Sequence, residues 1–307
     1  MIYDLVIIGG GPAASAAAVY AARKKLKSVI IAEAFGGQST VSPDIQNWIG
    51  TVSISGEKLA SDLRAHVQAY AEGTLDIVEG SRAKTVDKTG NHSVITLENG
   101  VHYESKTVLI ATGSERRKLT VPGAAEFEHK GLTYCASCDG PLFSDMDVAV
   151  IGGGNAGFET AAQLLAYCKS VTLFDKGEHF KADPITMEKV LADPKMHALP
   201  NTELLAVKGE GMVTTLSYRD KTTNEEHELP VGGIFVEIGQ VPSTDIVANL
   251  VERNQWNHIK IDPRTQQTTA RGIWAAGDCT DVLYHQNNIA VGDAVRAVED
   301  IYLSLFK

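Results

Sequence analysis

Cysteine is scarce in this sequence, with four residues in 307: Cys135, Cys138, Cys168 and Cys279. Four cysteines are too few for the disulfide framework of a small secreted domain. A structural zinc site needs four ligands, and the chain has neither a second C-x-x-C pair nor a histidine pair at the usual H-x3–5-H spacing. We therefore predict no metal site, and we expect the close cysteine pair to be catalytic.

Long apolar segments and an excess of basic residues are also missing. No apolar run approaches the roughly 18–20 residues that span a bilayer, and Asp4 interrupts the first residues with no basic segment before it. The net charge of -10 disfavours nucleic acid and anionic membranes as partners. With 44% hydrophobic and 21% charged residues, the composition is that of a soluble globular protein, and we expect it to be cytoplasmic.

A strand, a glycine turn, a helix and a second strand follow one another twice along the chain. The first copy has strands at 3–8 and 28–32 around a helix at 14–23, and the second has strands at 147–151 and 170–174 around a helix at 158–167. Further strands are predicted at 92–97 and within 107–113 and 272–278, and a final helix at 288–305. This repeated unit is typical of dinucleotide-binding domains.

The sequence therefore predicts an α/β fold with two Rossmann-like (three-layer ββα) dinucleotide-binding domains, the second inserted into the first. A length of 307 residues suits two domains. We place the first domain at 1–114 and 245–307 and the second at 115–244, with Pro122-Gly123 and Pro242-Ser243 as linkers.

The first glycine turn has the G-x-G-x-x-A form and is predicted to bind a dinucleotide. It consists of Gly9, Gly10, Gly11, Pro12, Ala13 and Ala14. Gly9 allows the tight turn, Gly11 lets the backbone approach a pyrophosphate, and Ala14 permits close packing of the helix on the strand. Glu33 ends the next strand, where an acid can accept hydrogen bonds from a ribose.

The second turn is a full G-x-G-x-x-G and is predicted to bind a pyridine nucleotide. It consists of Gly152, Gly154, Asn155, Ala156 and Gly157, with Gly153 between the first two. Asp175 ends the following strand and suits a ribose diol, whereas a 2′-phosphate about 4 Å away would cost up to about 4 kcal/mol per charge pair. We therefore favour NADH over NADPH, and we interpret the nearby Lys176 and Lys181 as solvated surface charges.

A dithiol lies between the two turns, in the segment Cys135-Ala136-Ser137-Cys138-Asp139-Gly140. Two thiols two residues apart can form and release a disulfide reversibly. Asp139 can shuttle the proton that this exchange requires, and it can at the same time act as a helix N-cap. Cys168 and Cys279 lie in apolar surroundings and are predicted to be small core residues.

Taken together, these motifs resemble the low-molecular-weight thioredoxin reductases over nearly the whole chain. The matching segments are Gly10-Gly11-Pro12-Ala13, Gly36-Gly37-Gln38, Asn47-Trp48-Ile49-Gly50, Ala111-Thr112-Gly113, the dithiol segment, 152–157 and Ala276-Gly277-Asp278. The segments Phe180-Lys181-Ala182-Asp183 and Gly277-Asp278-Cys279 are also similar to the flavoprotein subunit of alkyl hydroperoxide reductase.

The resemblance implies a homodimeric flavoenzyme with FAD in the first domain. The residues it implies at the flavin are the first glycine turn with Glu33, Gly37, Gln38, Asn47, Ala83, Thr112, Gly113, Gly277, Asp278 and Gln286. It also implies that Cys138 faces the flavin, that Cys135 attacks the partner disulfide, and that Asp139 is the acid/base.

The resemblance leaves the electron donor and the acceptor open. NADPH-using members carry a His-Arg-Arg cluster after the second acid strand, whereas this chain has Phe174-Asp175-Lys176-Gly177 there. Our hypothesis is an FAD-dependent disulfide reductase that passes electrons from NADH through Cys135 and Cys138 to a thioredoxin-like protein. The alternatives are a ferredoxin-dependent reductase and, in a different class, a flavin and dithiol redox sensor without turnover.

Overall fold

The computed structural model of the protein describes residues 1–42 and 45–306. The strands are β1 (Ile2–Ile8), β2 (Ser28–Ala32), β3 (Leu75–Glu79), β4 (Ala83–Thr89), β5 (His92–Leu97), β6 (His102–Ile110), β7 (Ser114–Arg116), β8 (Leu132–Thr133), β9 (Asp147–Ile151), β10 (Ser170–Phe174), β11 (Met196–Leu199), β12 (Thr202–Glu210), β13 (Met212–Asp220), β14 (Glu226–Pro230), β15 (Gly233–Val236), β16 (Gln240–Pro242) and β17 (Ile273–Ala275). The α-helices are α1 (Pro12–Arg23), α2 (Gly56–Ala69), α3 (Ala136–Asp139), α4 (Asn155–Leu164), α5 (Pro184–Leu191) and α6 (Asn287–Leu305). Within the described residues, none of these helices combines the length and the apolar character that crossing a bilayer requires.

The first of two compact units comprises Met1–Pro43, Trp48–Glu115 and Val241–Lys307. Its sheet has the order β3-β2-β1-β6-β5-β4, and β17 also pairs with β6. The pairs among β3, β2, β1, β6 and β17 are parallel, whereas β4, β5 and β6 pair in antiparallel fashion. Alternate residues of β1 belong to different hydrophobic clusters, with Leu5 and Ile7 in one and Val6 and Ile8 in the other. Both faces of the sheet are therefore covered, as expected for a parallel sheet.

The second unit comprises Asp44–Asn47 and Arg116–Gln240. Its five-stranded parallel sheet has the order β11-β10-β9-β15-β8, and a separate antiparallel sheet is formed by β12, β13 and β14. Here too the middle strand contributes to two cores, because Val148 and Val150 pack in one cluster and Ala149 and Ile151 in the other. The apolar run of this strand follows from burial on both faces.

The predicted fold class, α/β with two dinucleotide-binding domains, is confirmed. The strands predicted at 28–32, 92–97, 147–151 and 170–174 have these bounds in the structure. The helix predicted at 158–167 instead begins at Asn155, because the chain turns at Gly154 and enters the helix at once.

One predicted linker, Pro122-Gly123, is wrong, because both residues lie inside the second unit. The Val207 N–H donates to the Pro122 carbonyl at 2.9 Å, and a Cβ on Gly123 would lie 2.0 Å from the Val207 carbonyl oxygen. The unit boundaries fall instead within β7 and β16, which pair with each other. The predicted domain limits at 114 and 245 stay predictions about the functional domains.

Candidate active site

A cavity of about 800 Å³ opens in the first unit at the carboxyl ends of its parallel strands. The predicted flavin residues that line it are Gly9, Gly10, Gly11, Pro12, Ala13, Glu33, Gly37, Gln38, Ala83, Thr112, Gly113, Gly277 and Asp278. They come together because β1, β2, β6 and β17 run parallel, so the turns that follow them meet at one edge of the sheet.

Three predicted residues do not line this cavity. Ala14 is completely buried inside α1, in agreement with a packing role beneath the turn. Asn47 belongs to the segment that clusters with the second unit. Gln286 is exposed and occupies the N-cap position of α6, so the α6 side chains at the cavity are those of Asn287 and Ala290.

The first glycine turn has one crowded and one open position. Gly9 has a φ of 135°, and a Cβ there would lie 2.1 Å from the Ala111 carbonyl oxygen. Gly11 precedes α1, and a Cβ there would have only the Gly37 Cα within 4 Å, at 3.9 Å. The turn therefore requires glycine at the first position for its own conformation, whereas Gly11 leaves room for a pyrophosphate at a helix N-terminus.

Glu33 is held by an arginine that the sequence analysis did not identify. Arg82 donates from Nε to Glu33 Oε2 at 2.7 Å, and its second nitrogen lies 2.5 Å from the same oxygen. Both side chains are more than half exposed and both residues line the cavity. Nothing in the sequence links two residues 49 positions apart, so only the fold could show this pair.

A second contact at this cavity joins Ser39 and Asn287. The Asn287 side-chain amide donates to Ser39 Oγ at 2.9 Å, and both residues line the cavity. They are 248 positions apart, and the sequence analysis assigned neither. The start of α6 is therefore tied to the segment that follows β2.

The second glycine turn repeats the geometry of the first in the second unit. Gly152 has a φ of 121°, and a Cβ there would lie 2.2 Å from the Glu237 carbonyl oxygen. A Cβ on Gly157 would lie 1.7 Å from the Gly152 carbonyl oxygen, whereas a Cβ on Gly154 would have nothing within 4 Å. The open position again precedes the helix, α4, whose first residues Asn155 and Ala156 are exposed.

Asp175 is fixed beside this turn by backbone donors. Its Oδ2 accepts from the Gly153 N–H and its Oδ1 from the Gly177 N–H, each at 2.7 Å. The loop that follows is tied to α4 as well, because Asn155 Oδ1 accepts from the Asp183 N–H at 2.7 Å. The predicted acid therefore has a defined orientation at the carboxyl end of β10, while Lys176 and Lys181 are exposed.

Cys135 and Cys138 form a disulfide across the start of the four-residue helix α3. Both residues are half-buried, and the Cys138 N–H points at Cys135 Sγ at 3.2 Å. An N–H directed at sulfur favours the thiolate once the bond is reduced. This geometry distinguishes Cys135 from Cys138 electrostatically.

Asp139 is buried and accepts a hydrogen bond from the Thr133 hydroxyl. Asp139 also occupies the N-cap position of the short 3-10 helix Gly140–Phe143, as predicted, but its side chain makes no cap hydrogen bond there. The N-cap position of α3 is occupied by Cys135. Thr133 thus orients the carboxylate of the residue that directly follows Cys138 in the chain.

Cys168 and Cys279 are core residues, as predicted. Each is at most 1% exposed, and burial raises the pKa of both thiols to about 11. The Cys279 thiol lies within 3.5 Å of the Ile110 and Ala276 carbonyl oxygens. Over residues 1–42 and 45–306, no group of three or more His, Cys, Asp or Glu side chains is arranged to hold a metal ion.

The sequence profile of the pyridine nucleotide-disulphide oxidoreductases matches residues 3–294. The chain belongs to this family. An alkyl hydroperoxide reductase subunit of Staphylococcus aureus (strain MRSA252) is 42% identical over 295 residues, and NADH dehydrogenase of Bacillus subtilis (strain 168) is 39% identical over the same length. These alignments cover 96% of this chain and 57% of each relative, so the chain spans less than two thirds of their length.

Solved structures of two thioredoxin reductases are similar to this chain over nearly its whole length. Thioredoxin reductase from Streptococcus pyogenes MGAS5005 superposes with a TM-score of 0.90 at 32% identity, covering 99% of this chain and 98% of that one. Thioredoxin reductase from Giardia duodenalis has a TM-score of 0.91 at 26% identity, with 99% of both chains covered. This pyridine nucleotide-disulphide oxidoreductase thus has the fold of the thioredoxin reductases, is similar to part of an alkyl hydroperoxide reductase subunit, and carries a C-x-x-C pair.

The family implies FAD and a pyridine nucleotide, and the residues present fit both. The cavity in the first unit lies within the 300–1,000 Å³ of typical cofactor sites. The open glycine positions, Gly11 and Gly154, are where a Cβ would obstruct a pyrophosphate. FAD would be held by the first turn together with Glu33 and Asp278, and the pyridine nucleotide by the second turn and Asp175.

Proposed function

We propose that this enzyme is an FAD-dependent disulfide reductase that uses NADH and delivers electrons to a thioredoxin-like protein. The observation that carries the proposal is the Cys135–Cys138 disulfide in the same unit as the second glycine turn. Bound FAD would supply the two-electron relay between the nicotinamide and this disulfide. The net reaction consumes NADH, one proton and a protein disulfide, and it yields NAD⁺ and two thiols.

The two cysteines have different roles in this proposal. Two electrons and one proton convert the disulfide to one thiolate and one thiol. The Cys135 thiolate, favoured by the Cys138 N–H, attacks a sulfur of the partner disulfide and displaces a partner thiolate. Cys138 then attacks Cys135 Sγ, which restores the intramolecular disulfide and releases the second partner thiolate.

Asp139 is the proposed acid/base. It adjoins Cys138 in the chain, it is buried, and its carboxylate is oriented by the Thr133 hydroxyl. Such a carboxyl group can hold the proton that leaves Cys138 and return it to the departing partner thiolate. We expect Asp139→Asn to slow disulfide exchange while the disulfide itself still forms.

The fixed orientation of Asp175 supports NADH as the donor. Because two backbone N–H groups hold its carboxylate, Asp175 cannot rotate away from a 2′-phosphate without breaking both bonds. Lys176 and Lys181 are exposed, so solvent screens the attraction that they could offer. The name of the Bacillus subtilis relative, NADH dehydrogenase, agrees with this donor.

The test is anaerobic mixing of the FAD-loaded enzyme with NADH, NADPH or reduced ferredoxin in parallel. We expect NADH to bleach the flavin band at a much lower concentration than NADPH. Asp175→Ser is the matched variant, because it removes the negative charge. In this variant the concentrations of NADH and NADPH that bleach the flavin should differ less than in the wild type. Bleaching by ferredoxin alone would replace this donor proposal with the ferredoxin-dependent alternative.

The acceptor is tested separately by steady-state turnover with a thioredoxin and with a peroxiredoxin. The similarity to an alkyl hydroperoxide reductase makes a peroxide-reducing system the second candidate destination for the electrons. Turnover with neither acceptor, in an enzyme whose flavin NADH reduces, would favour a redox sensor.

A further inference from the structure

Glu237 lies at the point where the strand order of the second unit reverses. The chain builds β9, β10 and β11 in one direction and then adds β15 on the other side of β9. Glu237 directly follows β15, and its N–H donates to the Ile151 carbonyl at the end of β9, at 2.7 Å. Ligands of open parallel sheets bind in the crevice at such a reversal.

The Glu237 side chain is 11% exposed and has defined partners. Its Oε1 accepts from the Thr160 hydroxyl on α4 at 3.0 Å, and its Oε2 lies 3.5 Å from the Arg116 guanidinium. Burial raises the pKa of the Glu237 carboxyl, and Arg116 and Thr160 oppose that change. Burying a charged group is costly unless it is paired. The four residues of β15, which precede Glu237, are also buried, but none of them carries a charge.

Asp175 and Gly154 indicate the direction in which a dinucleotide would lie in the second unit. Asp175, at the end of β10, marks the adenosine ribose, and Gly154 marks the pyrophosphate after β9. An extended dinucleotide that continues in the same direction carries its nicotinamide half past the end of β15. Glu237 is the acidic side chain that directly follows this strand.

We infer that the Glu237 carboxylate accepts a hydrogen bond from the nicotinamide carboxamide and thereby selects a carboxamide over a carboxylate at that ring position. Thr160 and Arg116 orient this acceptor. The inference rests on the proposed use of a pyridine nucleotide and identifies a specificity residue for it. A ring that carries a carboxylate would instead meet a like charge in a partly desolvated site.

The test compares NAD⁺ with nicotinic acid adenine dinucleotide, which has a carboxylate in place of the carboxamide. Both are titrated at pH 8 into the oxidised, FAD-loaded enzyme, and binding is followed by calorimetry, so no turnover is needed. We expect the wild type to bind NAD⁺ at least about tenfold more tightly, which corresponds to about 1.4 kcal/mol. In Glu237→Gln, which keeps size and an acceptor oxygen, this preference should fall by about tenfold.

Two controls separate a specific contact from a general change in charge or in folding. Glu159→Gln removes an exposed acid near Glu237 and should leave the NAD⁺ preference unchanged. AMP, which lacks the nicotinamide half, should bind Glu237→Gln within about twofold of the wild type, which also reports that the site is folded.

The outcomes distinguish this inference from the proposed function. If the wild type binds NAD⁺ but Glu237→Gln keeps the same preference, or if Glu159→Gln reduces it equally, Glu237 does not read the carboxamide. If the wild type binds neither dinucleotide, the proposed donor fails and this inference fails with it.

Discussion

Replacing Gly154 by Ala adds one methyl group at a position where the protein itself offers no obstacle. Gly154 has φ -91° and ψ -174°, which is an extended conformation open to any residue, and its Cβ would have no atom within 4 Å. Alanine has less conformational freedom than glycine in the unfolded chain, and at such a position this difference stabilises a protein by about 0.4–1 kcal/mol. We therefore expect the melting temperature of Gly154→Ala to equal or slightly exceed that of the wild type.

The affinity of Gly154→Ala for the dinucleotide, in contrast to its stability, should fall. If the pyrophosphate lies against the Gly154 Cα, the added methyl group occupies the space of the phosphate oxygens. Overpacking a tight contact by one methyl costs about 1–3 kcal/mol, which is a loss of about 5- to 150-fold in affinity. The expected variant is thus stable, retains its flavin and binds NADH poorly.

Gly11→Ala is the matched substitution in the first unit. Gly11 has φ -77° and ψ -174°, and its Cβ would meet only the Gly37 Cα, at 3.9 Å. This variant should lose FAD, measured by the flavin absorbance of the purified protein, while its apoprotein melts normally. Gly157→Ala is the structural contrast, because its Cβ would lie 1.7 Å from the Gly152 carbonyl oxygen and should disrupt folding.

Calorimetric titration of NADH analogues and thermal melting of the variants test where the pyrophosphate binds. Wild-type dinucleotide affinity in Gly154→Ala would refute the placement of the pyrophosphate. Loss of flavin in the same variant would show that the two turns are not separate binding sites. A large fall in melting temperature would contradict the open environment of Gly154 itself.

Three other predictions use the thiols and the half-buried His258. Because burial raises the pKa of Cys168 and Cys279 to about 11, a thiol reagent at pH 8 should find no fast thiols in the native oxidised enzyme and two in the native reduced enzyme. It should find four in the reduced enzyme after denaturation, and a third fast thiol in the native reduced enzyme would contradict the prediction. Cys138→Ser should keep FAD and its reduction by NADH but lose turnover with disulfide substrates, and wild-type turnover would exclude the relay. Burial and the neighbouring His285 lower the pKa of His258, so its contribution to stability is present above its ordinary value of 6.5 and is lost as the pH falls below that value. His258→Gln should therefore show a flatter urea midpoint between pH 7.5 and 5.5, and an unchanged slope would refute this origin.

The strands could be predicted because their signal is local. After one polar residue, β2 and β9 each continue as four apolar residues and β10 as Val-Thr-Leu-Phe, and all four of these positions are buried in each strand, as a parallel strand covered on both faces requires. The start of α4 was placed three residues late, because apolar periodicity begins only at Phe158, whereas the chain becomes helical directly after Gly154. Pro122-Gly123 has the composition of a linker, but its backbone is used in packing against Val207.

In the candidate site, too, some residues could be predicted from local motifs and others could not. The glycine turns and the C-x-x-C pair carry their chemistry in spacings of a few residues, so the sequence by itself determined the two nucleotide folds and the dithiol. The pairs Glu33–Arg82, Ser39–Asn287 and Thr160–Glu237 are 49, 248 and 77 positions apart. Only the tertiary structure decided them, because parallel strands bring their carboxyl ends to one edge whatever the distance between them along the chain.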